Sequence, residues 1–221
     1  MALEGAYAFD VVSGATVLDL SGNARDITLT GTNGVQVAGG QTGAALGKTG
    51  ATMPICPGSL LTATQTDDRT VMLDAKNNFT TWWVRWEKDA INSGTWGILL
   101  TGGSMAVQAR RASDDSLATR PTATQPGTTT WHNYCATYVR STGIISFYLD
   151  GVLASTQSFT AGTQLTTNAD RINLAEWSNT GPALDNLRFY SHALNAVEVA
   201  ALAGTPVTSG VVLRPSSFFF G

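Results

Sequence analysis

Charge is scarce in this chain. Asp, Glu, Lys and Arg make up 13% of its 221 residues, the acids outnumber the bases 16 to 13, and the net charge is −3. Nucleic-acid affinity comes mostly from basic side chains that neutralise phosphates, so DNA and RNA are excluded as partners. Glutamate is limited to Glu4, Glu87, Glu176 and Glu198, and no Glu-x-Asp-x-Glu pattern falls on a strand-like run. A glycoside hydrolase needs two carboxylates at a fixed separation across the scissile bond, and the chain offers no such set. The pairs Asp67-Asp68 and Asp114-Asp115 sit in polar connecting segments and read as solvated loop charge. Histidine is limited to His132 and His192, and no serine stands in a Gly-x-Ser-x-Gly elbow. Odd spacing along a strand sends His132 and Cys135 to opposite faces. No nucleophile constellation assembles, and the chain is expected not to be an enzyme.

Cysteine and long apolar runs are short as well. Cys56 and Cys135 lie far apart in a chain large enough to do without staples, so two free thiols are favoured, with a disulfide left open. The opening MALEGAYAFD has an acidic residue at Glu4 and no apolar run behind it. The expectation is a protein with no signal peptide and no membrane insertion. The glycine-rich stretch 31–50 does not space its glycines before a helix as a phosphate loop would.

What the chain does have is a succession of strands. Between residues 131 and 159 three apolar-rich runs, 131–139, 144–149 and 152–156, are separated by Arg140-Ser141-Thr142-Gly143 and by Asp150-Gly151. Asp-Gly accepts the positive φ angles of a two-residue primed turn, which predicts that the third run folds back on Ile145, Phe147 and Leu149. Upstream, 5–9 reads as a short strand with Tyr7 and Phe9 on one face and Ala6 and Ala8 on the other. The run 79–86 is densest in aromatic and β-branched residues and reads as a central strand. Its alternation assigns Trp82, Val84 and Trp86 to the core and Trp83 and Arg85 to a wetter face. Runs 95–101 and 104–109 form a hairpin through Gly102-Gly103, and 171–174 and 183–190 add two strands around a loop carrying Trp177 and Asn179. Pro54 and Pro57 argue against a central strand nearby, leaving 70–73 as an edge piece. One helix closes the domain, with Asn195 and Glu198 as a capping box. Leu194, Val197, Ala200 and Ala201 form its apolar face, and Gly204 and Pro206 mark its end.

Periodicity alone implies an all-β sandwich or barrel. Three motifs add a resemblance: Tyr7, Phe9 and Asp19-x-Ser21-Gly22-Asn23; Trp131 through Phe147-Tyr148-Leu149-Asp150-Gly151-Val152; and Leu184-Asp185-Asn186-Leu187-Arg188-Phe189-Tyr190 through Asn195 with the helix after it. Over residues 5–204 the chain resembles the laminin-G-like, concanavalin A-like jelly-roll domains. The resemblance implies a two-sheet antiparallel jelly-roll sandwich with one short C-terminal helix over residues 1–204, a tail over 205–221, and a concave face that in many members binds glycans or proteins. It also implies a structural calcium (Ca2+) at Asp185. Calcium takes roughly six to eight oxygen ligands, so the residues themselves leave open whether Asp185 ligates a cation or accepts hydrogen bonds.

Sugars stack on aromatic faces while amides and charges fix their hydroxyls. Trp83 with Arg85, and Trp177 with Asn179, are therefore the candidate ligand-binding residues, core packing being the competing reading for both tryptophans. Two functions compete. One is a structural or adhesive virion protein of a phage tail or capsid surface, where domains resembling this one recur, partnered by itself or other virion proteins and with a cell-surface glycan as an added ligand. The alternative is a carbohydrate-binding module of a larger glycan-processing system. The want of an export signal favours the first, and with it a virion location. Val211-Val212-Leu213 and Phe218-Phe219-Phe220 follow the helix, and a phenylalanine triplet points to both faces of a strand. The tail is expected to dock into another subunit, with a last strand on the protein's own sheet edge as the competing reading.

Overall fold

The computed structural model describes residues 2–10, 12–13, 16–29, 35–47, 56–76, 82–88, 93–101, 104–117, 120–126, 130–167, 169, 171–176 and 182–208. In chain order the strands are β1 (Leu3–Tyr7), β2 (Val12–Ser13), β3 (Thr16–Val17), β4 (Ile27–Thr28), β5 (Val35–Ala38), β6 (Ala44–Gly47), β7 (Arg69–Lys76) and β8 (Trp82–Lys88). They continue as β9 (Ser93–Thr101), β10 (Ser104–Ala109), β11 (Thr122–Thr124), β12 (Trp131–Val139), β13 (Ile144–Leu149), β14 (Val152–Ser158), β15 (Arg171–Glu176) and β16 (Pro182–Tyr190). Helix α1 (Gly58–Thr64) precedes β7 and α2 (Ala196–Leu202) follows β16.

The strands pair antiparallel into two main sheets, the jelly-roll sandwich that the motifs imply. The larger has the order β14-β13-β12-β7-β16-β6-β5, with β1 also on β16; the smaller is β11-β10-β9-β8-β15; β2, β3 and β4 form a small third sheet. Along one edge of β16, β6 pairs with its beginning and β1 with its end. The ladder between β16 and β7 shifts register between Asp185 and Arg188, and there Asn186 takes a φ of 47°. Such a bulge re-aims side chains, and here it brings Asn186 over the outer face of the large sheet.

Alternation along each strand fills the space between the sheets. Val71 and Leu73 of β7, Tyr134 and Ala136 of β12, and Leu184 and Phe189 of β16 meet Val84 and Trp86 of β8, Trp96 and Ile98 of β9, and Ile172 and Leu174 of β15. Trp86 crosses from one sheet to the other and meets Phe189 edge-on, ring centroids 5.4 Å apart. Tyr7 and Phe9 enter this core, while Ala6 and Ala8 pack on the other side with Val207, as the alternation predicts. The opening Asp19 motif is a carboxylate-centred loop: its oxygens accept from the N–H groups of Ala6, Ser21 and Arg25 at 3.0, 2.9 and 3.1 Å. Cys56 and Cys135 are both free and buried, in different apolar clusters.

The meander forms as its turns dictate. Asp150 and Gly151 have φ angles of 51° and 78°, so both central residues are left-handed, as a type I′ turn requires, and Leu149 pairs with Val152. The closing helix also starts as predicted. Asn195 Oδ1 accepts from the N–H groups of Val197 and Glu198, and Glu198 Oε2 accepts from Asn195 N at 2.8 Å.

Three readings change. The edge piece at 70–73 is the middle of β7, which pairs with β12 on one side and β16 on the other and is therefore central. The prolines that argued otherwise precede the strand, and Pro57 instead starts an additional helix, α1. That helix carries no side-chain cap, which is why its start was not signalled, and it is held by Leu60, Leu61 and Thr64 turned inward. Thr64 Oγ1 accepts a hydrogen bond from Trp86 Nε1 at 3.0 Å. The apolar face of α2 is also displaced: Val197 is 79% exposed, and Leu194, Val199 and Leu202 pack on Met72, Cys135, Tyr148 and Tyr190 of the large sheet. In a helix of two turns the i, i+3 pair Val199 and Leu202 suffices for the contact, and the capping box at the first turn points Val197 outward.

Candidate functional site

The polar face of the small sheet is an ion-pair cluster. Val84 and Trp86 enter the core, so Arg85 and Glu87 take the opposite face of β8, beside Arg171 and Asn173 of β15. Glu87 accepts from Arg85 through one oxygen, and from Asn173 and from Arg171 Nε, the last at 2.7 Å, through the other. Arg85 is 5% exposed. The structure thus places this predicted ligand-binding residue in a buried ion-pair cluster, in which Arg85 and Arg171 share the Glu87 carboxylate. The side chain of Trp83, and Trp177 and Asn179 altogether, lie outside the described residues.

The outer face of the large sheet carries a second polar network. Asp74 of β7 accepts from Asn133 Nδ2 of β12 at 2.7 Å through one oxygen and from Asn186 Nδ2 of β16 at 2.8 Å through the other. Asn186 Oδ1 in turn accepts from Val207 N at 2.8 Å, and Arg188 donates to the Thr205 carbonyl. The segment after α2 is therefore stitched to the sheet as far as Val207, and the apolar tail beyond residue 208 lies outside the described residues. Burial raises the Asp74 carboxyl above its ordinary range, against the pull of the two amide hydrogen bonds.

Asp185 belongs to the same face and is wholly buried. Its Oδ1 accepts from Asn186 N at 2.7 Å and its Oδ2 from Thr42 N at 3.2 Å. Burial pushes its carboxyl up to about 7, opposed by these two N–H groups and reinforced by the charges of Asp10 and Asp74. Among the described residues no group of three or more Asp, Glu, His or Cys side chains could hold a cation here. The donor set fits a hydrogen-bond acceptor and does not fit a calcium shell built on side chains.

Where this network reaches the surface there is a cleft of about 170 Å³, walled by Gln41, Asp74, Trp131, Asn133, Asp150, Ala203 and Gly204. The β13–β14 turn forms one rim. Asp150 N donates to the Asn133 carbonyl at 2.8 Å, and Asn133 N donates to Asp150 Oδ1 at 2.9 Å. The other carboxylate oxygen lies 2.8 Å from His132 Nδ1, and His132 Nε2 lies 2.9 Å from Thr130 Oγ1. Hydroxyl, imidazole and carboxylate stand in the order of a catalytic triad, but Thr130 and Asp150 are exposed to water. The chain of bonds acts to hold the Asp150 carboxylate at the cleft rim. Asn133 is 4% exposed, and its buried Oδ1 has no hydrogen-bond partner among the described residues. The Nδ2 bond to Asp74 fixes the amide, because a flipped oxygen would face the carboxylate. The cleft thus combines two carboxylates, two amides and the half-buried Trp131 indole, an arrangement suited to accepting hydrogen bonds from a ring-sized ligand.

Sequence reading had Asp150 only as a turn residue and did not single out Asp74, Trp131, Asn133 or Gln41. One signal was present: Asp74 interrupts the otherwise apolar run Val71-Met72-Leu73-Asp74-Ala75, and a charge in mid-strand needs a partner.

The family model described as the concanavalin A-like lectin/glucanases superfamily matches residues 60–200. No curated protein matches the sequence. Among solved structures, the chain is similar to the binding domain of Paraclostridial mosquitocidal protein 1, with a TM-score of 0.67 and 15% identity over 91% of this chain and 51% of that one. It is similar to the botulinum neurotoxin type G receptor binding domain at a TM-score of 0.66 and 10% identity, over 91% and 50% of the two chains. It is also similar to Trypanosoma rangeli sialidase in complex with sialic acid at a TM-score of 0.63 and 12% identity, over 91% and 32%. At these identities the likeness is one of fold, and the chain spans about half the length of each toxin domain and about a third of the sialidase.

Proposed function

The chain belongs to the concanavalin A-like lectin/glucanases superfamily, and we propose that it is a non-enzymatic recognition module that binds carbohydrate. The observation that carries this reading is the cleft where Trp131 stands beside Asp74, Asp150, Asn133 and Gln41. An aromatic face next to fixed acceptors is the combination that holds a sugar ring and its hydroxyls. Support also comes from similar folds described as receptor-binding domains and from one solved with sialic acid bound. The non-enzymatic part rests on how the buried acids are used. Both oxygens of Asp74 accept amide hydrogen bonds and Glu87 is held in ion pairs, so neither is poised as a glycosidase acid.

A glycan array tests the reading: the wild type is expected to retain a defined set of glycans and Trp131→Ala to lose them, while a blank array or release of reducing sugar from a bound glycan overturns it. The virion setting is a second reading carried by the phenylalanine triplet 218–220, and co-purification of the chain with phage particles is its test.

A further inference from the structure

The strands at the edges of the two main sheets are not alike. β15 carries Arg171 and Glu176, and charge on an edge keeps a second strand away. β1 is already covered: its Ala6 N–H goes to Asp19 Oδ1 and its Ala6 carbonyl accepts from Leu20 N. β5 is four residues long, and its Gln36 Nε2 donates to the Phe9 carbonyl at 2.8 Å. β11 is three residues long. β14 differs from all of them, running for seven residues, Val152 to Ser158, with no charge and no proline, and every residue but Ser155 is exposed. One side of its backbone pairs with β13, and among the described residues no backbone group pairs with the other side. Val152 and Leu153 at its start are 70% and 50% exposed. The flank around it is neutral. Ser155 Oγ donates to the Thr122 carbonyl at 2.6 Å, so β14 and β11, each the end of a sheet, stand side by side. A water-facing surface is about a quarter to a third charged, yet neither 121–130 nor 151–169 holds an Asp, Glu, Lys or Arg.

We propose that β14 is a homodimer interface, in which it pairs antiparallel with β14 of a second copy and the two large sheets join into one. A row of unpaired N–H and C=O groups accepts another strand, which sets the kind of contact. Charge sets the partner. A neutral edge meets its own copy with no like charges opposed, whereas a charged peptide finds no counter-charge on this flank. Identical edges laid antiparallel close on a twofold, so assembly stops at two. The bulge at Ala154, between the pairs Phe147–Ser155 and Tyr148–Leu153, leaves 155–158 as the regular ladder. Opposed residues of an antiparallel pair share a face, so the twofold passes beside a residue, Thr156 or Gln157, and either choice sets Thr156 within about 8 Å of its own copy.

Light scattering of the whole chain is the test. At about 100 μM, well above a Kd of roughly 10 μM, the wild type is expected to show twice the mass of one chain. Thr156→Lys and Thr156→Glu each oppose like charges at an exposed position, and each is expected to weaken dimerisation about tenfold or more with an unchanged circular dichroism spectrum. Mixed in equal amounts, the two variants are expected to dimerise again, because Lys then faces Glu across the twofold. Hydrogen exchange needs no substitution: on the wild type it is expected to slow with rising concentration at amides within 155–158. A monomeric wild type at this concentration, a dimer that persists in both charged variants, a mixture that fails to recover, exchange at 155–158 that ignores concentration, or growth past two chains overturns the proposal.

Discussion

Gly151→Ala tests how the meander is joined to the closing helix. Gly151 holds a φ of 78°, and a Cβ built on it would lie 2.9 Å from Ala203 Cβ and 3.2 Å from Ala200 Cα. Two costs follow. Left-handed backbone costs an L-residue about 1–2 kcal/mol, and forcing a methyl into an occupied contact costs about 1–3 kcal/mol more. The sum is about 2–5 kcal/mol, centred near 3, and at about 2–4 °C per kcal/mol for a domain of this size the melting midpoint should drop by roughly 10 °C. Urea unfolding followed by tryptophan fluorescence measures the free energy directly. Ala203→Gly removes the nearer of the two groups that the new side chain meets and leaves Ala200, so the double variant should recover part of the packing share, a coupling of about 1–2 kcal/mol in a double-mutant cycle. A loss below about 0.5 kcal/mol for Gly151→Ala would refute the type I′ turn. Strict additivity with Ala203→Gly would refute the contact between turn and helix.

Three further outcomes are expected. Asp185 titrates at about 7 when folded against roughly 4 when unfolded, so the folded state binds its proton more tightly. Stability from this group is complete below about pH 4 and falls, by up to about 4 kcal/mol, as pH rises to about 7, with Asp74 adding in the same direction. Asp185→Asn should flatten that slope in melts taken from pH 4 to 8, and a calcium-dependent gain at pH 8 that Asp185→Asn abolishes would show a cation in place of the assigned hydrogen bonds. Asn186→Ala leaves Asp74 Oδ2 and Val207 N without their partner, at about 1–3 kcal/mol each, and should raise amide exchange at Val207; exchange that stays protected would disprove the stitch. Arg85→Met leaves Glu87 with Arg171 and Asn173 as its remaining partners and should cost about 1.5–3 kcal/mol, the worth of a hydrogen bond to a charged group, with unchanged glycan binding, so lost binding in a fully stable variant would place Arg85 at the ligand site.

Local chemistry was legible from the chain alone. The Asp150-Gly151 turn, the Asn195–Glu198 capping box and the split of Tyr7 and Phe9 from Ala6 and Ala8 each depend on residues within about four positions of one another, and their φ preferences, side-chain reach and alternation do not wait for a partner. The turns and alternation were enough to indicate an antiparallel all-β sandwich or barrel, and the resemblance carried by the three motifs narrowed this to the sandwich.

Tertiary structure decided the rest. β7 is central only because β12 and β16 flank it, and nothing within its eight residues distinguishes a strand paired on both sides from one paired on a single side. Helix α2 turns Val199 to the sheet and Val197 to water because of where Met72, Cys135 and Tyr148 lie, not because of its own composition. The cleft is the extreme case. Asp74 meets Asn133 and Asn186, 59 and 112 positions away, and Asp150 is brought to them by a turn that would form anywhere. An isolated aspartate in a strand announces only that a partner must exist, since a buried charge without one is too costly to persist. Which partner it finds, and whether the pair stands at a surface with room beside it for a ligand, is set by strand order and register, and these arise only when distant segments pair.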